Sequence, residues 1–71
     1  MNEQRQATER SFGASLRRLR LQRRLTQGDF PGVTAKTVAR IERGEVAKLQ
    51  GKTLRILAET LGVEASDIES Y

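Results

Sequence analysis

The chain has 71 residues, 13 Lys/Arg against 9 Asp/Glu for a formal net charge of +4, and neither cysteine nor histidine. That length supports one domain, because a second hydrophobic core could not be built from so few side chains. Disulfides, thiolate metal sites and the usual proton shuttle are excluded, so stability has to come from packing.

A single proline and few β-branched runs favour helices. The charge is unevenly spread: residues 1–52 carry a net +7 and residues 53–71 a net −3. A basic front with an acidic end is expected of a domain that turns one surface toward a polyanion. A basic membrane-surface helix fits less well, since the aromatic anchors of such helices are scarce. No apolar run is long enough to span a bilayer, and Met1-Asn2-Glu3-Gln4-Arg5-Gln6 lacks the apolar core of a signal peptide. The expected location is the cytoplasm, with no membrane partner.

Residues 1–10 are polar and show no apolar period, which predicts a flexible N-terminal arm; Arg5 and Arg10 are its cations. The domain proper is expected over 11–71. Its first helix should run over 11–24, with Thr8 or Ser11 as cap. Phe12, Leu16 and Leu19 form one apolar stripe, and Arg23 continues the line. Arg17, Arg18, Arg20, Arg23 and Arg24 make this helix strongly basic. Leu21 lies off the stripe, either as a stray exposed leucine or as part of an interface.

Leu25-Thr26-Gln27-Gly28-Asp29-Phe30-Pro31-Gly32 offers a second, very short helix. Thr26 and Asp29 stand at capping-box spacing, Phe30 points inward, and Pro31 with Gly32 leaves room for little more than one turn.

The third element, over 34–43, carries the clearest pattern. The Thr34 hydroxyl can accept a hydrogen bond from a first-turn amide, and Gly44 can end the helix in a left-handed conformation. At about 100° per residue, Val38 and Ile41 share one face with Glu42 on its flank, while Lys36, Arg40 and Arg43 cluster almost opposite. Such a helix shows apolar groups to a core and three cations outward. It suits a DNA major groove, where Arg and Lys donate to guanine edges or phosphates. An ordinary solvated surface helix would have the same look.

Glu45 to Gly51 reads as a loop with some apolar side chains. A fourth helix over 51–61 places Leu54, Leu57, Ala58 and Leu61 on one stripe and stops at Gly62. Val63 resumes the core, and a last short helix from Ala65 is anchored by Ile68. The expectation is an all-α fold of five short helices around one small core.

This order of features resembles the Cro/repressor-type helix-turn-helix family (the XRE group), which includes the lambda repressor. The resemblance covers roughly 12–68. It is carried by Leu16-Arg17-Arg18-Leu19-Arg20, Leu25-Thr26-Gln27, Gly32-Val33-Thr34, Thr37-Val38-Ala39-Arg40-Ile41-Glu42-Arg43-Gly44, and Thr53-Leu54 through Ala58, Leu61, Gly62 and Val63. The sequence departs from the family between Thr26-Gln27 and Gly32-Val33-Thr34, where the spacing is shorter by nearly one helical turn. The helix before the turn is therefore clipped, and the Phe30-Pro31 region replaces the small residue at which the two helices normally pack.

The resemblance implies a lambda-repressor-like domain with 34–43 as recognition helix, and it implies roles. Ala35, Lys36 and Arg40 would lie nearest base edges. Gln27, Thr37, Arg43, Lys48 and Lys52 would lie near the sugar-phosphate backbone, where contacts position the protein without reading sequence. Arg20 and Glu42 would form a structural ion pair; independently, a carboxylate flanking an apolar face needs a partner to stay ionised. The implied partner is double-stranded DNA, bound by a homodimer on a palindromic operator. Residues 46–49 and 68–71 are the candidate dimer surfaces. No cofactor, metal or small-molecule ligand is implied.

Two functions of different class follow. One is a sequence-specific transcriptional regulator. The other is a protein-interaction module, such as an antitoxin or co-regulator, using the acidic C-terminal segment and Leu21. An enzyme is not expected, since Asp29, Lys36 and the serines form no recognisable nucleophilic or acid-base constellation.

Overall fold

The computed structural model describes residues 12–69. The expected N-terminal arm with Arg5 and Arg10, the candidate caps Thr8 and Ser11, and the last two residues lie outside them. Among the described residues there are four helices and no strand: α1 (Phe12–Gln22), α2 (Ala35–Glu42), α3 (Gly51–Leu61) and α4 (Ala65–Glu69). α1 packs against α2, α3 and α4, and α4 also packs against α3.

The fifth helix, expected between α1 and α2, is absent. Only the Asp29 half of its capping box forms: the Thr26 amide donates to Asp29 Oδ2 at 2.7 Å, while the Asp29 amide closes a turn on the Thr26 backbone carbonyl at 3.2 Å. The chain then turns instead of propagating. A helix nucleus fixes several residues for its first hydrogen bond and gains only as further bonds are added. Here Pro31 disfavours helical backbone at Phe30, and Gly32 takes φ +82°. The segment contributes side chains to the core instead, with Phe30 2 % exposed and Val33 also buried.

All three long helices end in the same way. A residue with positive φ follows the last turn, and its own amide and the next one close back on that turn. Gly44 and Gly62 do this after α2 and α3, at φ +81° and +73°. After α1 the position is held by Arg24 at φ 58°, with the Arg24 amide on the Leu21 carbonyl and the Leu25 amide on the Arg20 carbonyl. Arg23 joins two elements, its Nε donating to the carbonyl of Leu61 at the end of α3. A cation there opposes the partial negative charge of a helix C-terminus.

The core draws on every segment. Leu16 from α1, Val38 and Ile41 from α2, Leu57, Ala58 and Leu61 from α3, and Ile68 from α4 are buried together with Phe30, Val33 and Leu49 from the connections. Phe12, Leu19, Leu54 and Val63 are partly buried against them.

Candidate nucleic-acid interface

α2 is the best-defined helix of the domain at both ends. Thr34 Oγ1 accepts from the Thr37 amide at 3.1 Å and donates to Thr37 Oγ1 at 3.0 Å. At the other end the Gly44 amide reaches the Ile41 carbonyl and the Glu45 amide the Arg40 carbonyl, each at 3.0 Å. Two capped ends matter for a helix of only 8 residues, which would be marginal alone.

Its inward face is anchored on α1 at three places. Val38 and Ile41 enter the core at 0 % and 1 % exposure. Gly13 lets the two backbones touch: a Cβ there would sit 2.2 Å from the Ile41 carbonyl oxygen, closer than any real methyl group can be. Next to that contact lies a polar clamp. Arg20 Nε donates to Glu42 Oε2 at 2.6 Å, and Arg20 Nη2 to Glu42 Oε1 at 2.9 Å. Arg20 Nη1 donates to the Leu25 carbonyl at 2.9 Å, and Gln27 Nε2 to Glu42 Oε1 at 3.0 Å. The two charged side chains are 9 % and 3 % exposed. The hydrogen bond to Glu42 is the main reason that the Arg20 guanidinium is held above its ordinary pKa. Gln27 thus belongs to the clamp in this structure, with its amide nitrogen directed at Glu42.

The outward face carries Ala35, Lys36, Thr37, Arg40 and Arg43, all exposed. The exposure of Lys36 and Arg40 follows directly from the burial of Val38 and Ile41 on the other side. The turn Thr26–Asp29 lies alongside the start of the helix, where a Cβ on Gly28 would come within 3.7 Å of the Ala35 methyl.

Past Gly44 the chain forms one wall of a cleft of about 270 Å³. Thr37 and Ile41 line it from α2, Val46, Lys48, Leu49 and Gln50 from the loop, and Thr53 from α3. The structure therefore brings Thr37 and Lys48 together across the cleft. Lys52 is exposed in the first turn of α3, and the Gln50 side chain makes no capping hydrogen bond there. Lys48 at the cleft and Lys52 in the first turn of α3 both lie near the positive end of that helix, which suits a phosphate oxygen.

The sequence model of the helix-turn-helix domain family matches residues 11–70. The chain belongs to that family. No curated protein and no solved structure matches it. The matched range includes α2 and the turn at Thr26–Asp29. Family membership makes DNA binding the general role of the domain, and the exposed cationic side of α2 is the surface with the chemistry for it.

Three participants were not foreseen from the sequence. Glu45, read there as part of a loop, pairs with both outward arginines: Arg43 Nε at 2.7 Å and Arg40 Nε at 3.5 Å. Thr53 and Gln50 line the cleft beside Lys48. The signal for Glu45 was available only as an acidic residue just after a helix-ending glycine, because its neighbours depend on how that glycine folds the chain back. Among the described residues no cluster of acidic side chains is placed to hold a metal ion, and no helix is long and apolar enough to cross a membrane.

Proposed function

We propose that this helix-turn-helix domain is a cytoplasmic, sequence-specific double-stranded DNA-binding regulator of transcription, in the manner of the Cro/repressor group. The observation that carries the reading is the division of α2. Val38 and Ile41 are sealed into the core while Lys36 and Arg40 project from the opposite side. A helix held this way can lie in a major groove with its cations at base edges.

In this reading Lys36 and Arg40 do most of the base reading, because Ala35 and Ala39 offer only methyl groups for contact with thymine. Thr37, Arg43, Lys48 and Lys52 contact the sugar-phosphate backbone from both sides of the cleft. Gln27 contributes by holding Glu42 and leaves its carbonyl oxygen for a neighbouring donor. With so few base-reading groups, part of the specificity comes from the shape and deformability of the DNA. Two copies on a palindromic operator would double the recognised length.

Selection from random duplex DNA at two salt concentrations, followed by anisotropy titration of the selected site, tests this. Arg40→Ala should cost about 1–3 kcal/mol on that site and relax preference at one base position. If it weakens all duplexes equally, base reading belongs to another residue. One observation favours the protein-interaction reading: Leu21 is 48 % exposed on the outer side of α1. A stable protein complex whose affinity does not change with salt, without DNA binding, would decide for it.

A further inference from the structure

Resting on the DNA-binding reading above, we infer that Glu45 is a built-in competitor for the DNA phosphates. It tethers Arg40 and Arg43 in the free protein and so limits binding to DNA that offers no base contacts in return.

The backbone position of Glu45 is a consequence of the fold. Gly44 turns the chain at φ +81°, and the Glu45 amide closes on the Arg40 carbonyl at 3.0 Å. That closure brings the Glu45 side chain back over the last turn of α2. Its two carboxylate oxygens then take different arginines, Oε2 facing Arg43 Nε at 2.7 Å and Oε1 facing Arg40 Nε at 3.5 Å. The hydrogen bond from Arg43, helped by the charges of Arg43 and Arg40, holds the Glu45 carboxyl below its ordinary range. It therefore stays ionised at any pH where DNA binding is measured.

The tether is weak enough to yield. The three side chains are 53 %, 56 % and 47 % exposed, and ion pairs this open are worth little in water. A phosphate can replace the carboxylate on either arginine. Glu42, two positions before Gly44, is the contrast: buried, committed to Arg20, and out of reach of DNA. Of the two glutamates near the end of α2, the inner one fixes the helix and the outer one occupies its cations.

Exchange of one anion for another changes what binding releases. A free arginine reaching a phosphate expels condensed counterions from the DNA. An arginine that must first leave a carboxylate also frees a negative charge, which remains close to the backbone. Non-specific binding rests almost wholly on this electrostatic gain, so Glu45 reduces it most. Specific binding recovers the loss through base contacts from Arg40.

The test compares Glu45→Gln, Glu69→Gln and the parent chain. Glu69 is exposed on α4, which packs on α1 and α3, so its substitution makes the same net-charge change away from α2. Each protein is titrated with the selected site and with a scrambled duplex of equal length across a salt series. Glu45→Gln should raise affinity for the scrambled duplex about fivefold at low salt and steepen the log–log salt slope by about 1. The selected site should gain less, so the ratio between the two falls. Glu69→Gln should change either affinity by less than about twofold. Equal behaviour of the two variants, a weaker Glu45→Gln on all DNA, or an equal gain on both duplexes each overturns the inference while leaving the DNA reading intact. Failure of the folded parent and of folded Glu45→Gln to bind any duplex instead removes that reading, and this inference with it.

Discussion

Glu42→Ala probes the contact on which the orientation of α2 depends. The substitution removes the acceptor of two Arg20 hydrogen bonds and one from Gln27, leaving Arg20 with the Leu25 carbonyl alone. The guanidinium, 9 % exposed, has little water to replace the lost carboxylate. Breaking a buried pair from one side costs on the order of 3 kcal/mol. The better helix propensity of alanine returns only about 0.5 kcal/mol. A domain of this size has a total stability of roughly 3–9 kcal/mol, so the variant should lose between about a third and all of it. In a thermal melt followed by far-UV circular dichroism, the midpoint should fall by about 10–20 °C. Glu42→Gln keeps an acceptor and should lose about 1–2 kcal/mol. The double variant Arg20→Met with Glu42→Leu leaves no orphaned charge and should return to within about 1 kcal/mol of the parent. A loss below about 0.5 kcal/mol for Glu42→Ala would show that the clamp does not hold α2, and the reasoning would fail.

Gly13→Ala should destabilise by about 1–2 kcal/mol, because overpacking against the Ile41 backbone exceeds the helix propensity gained; a higher melting temperature for the variant would refute the close contact. Arg24→Gly should stabilise by about 0.5–1 kcal/mol by relieving a side chain at φ 58°, and an unchanged or lower denaturant midpoint would count against it. Lys48→Ala should weaken binding to all duplexes alike and reduce the magnitude of the salt slope by about 1; a loss confined to the selected site would make Lys48 a base reader. Glu45, with Arg43 and Arg40 against it, has its carboxyl held below its ordinary 4.5. Its stabilising contribution is therefore complete above that value and is lost as pH falls through the lowered one. With no histidine or cysteine in the chain, melting temperature should be nearly flat between about pH 5.5 and 8; a steep change inside that window would contradict this.

The elements that could be read from the sequence are those whose pattern is local. Thr34 and Gly44 bracket α2, and Gly62 ends α3, because caps and stops act on backbone within one turn of themselves. The outward direction of Lys36 and Arg40 follows from the 3.6-residue period once Val38 and Ile41 are placed inside. The pairing of Arg20 with Glu42 came from family resemblance; 22 positions separate them, and no periodicity spans such a distance. Three other features carry no such local mark. Gly13 looks like a weak point in a helix until α2 is seen crossing it. Arg24 carries no mark of a left-handed residue, which glycine usually supplies. Glu45 finds its arginines only after Gly44 has reversed the chain.

The absence of a helix between α1 and α2 has a physical reason of its own. Thr26 and Asp29 form the local hydrogen bonds that begin a helix, yet only Phe30 stands between them and Pro31. A nucleus that cannot propagate gains little, and the chain does better by sending Phe30 and Val33 into the core. This has a consequence for the recognition surface. In a two-helix motif the second helix is held against the first, but here nothing helical precedes α2 closely enough to support it. Its orientation is fixed by α1 instead, through the bare backbone at Gly13, the Arg20–Glu42 clamp and the burial of Val38 and Ile41. The shortened connection and the close α1–α2 contact therefore belong together. A chain that lost the first helix of the motif without such a platform would leave Lys36 and Arg40 on a helix with no fixed direction, and a groove cannot be read from there.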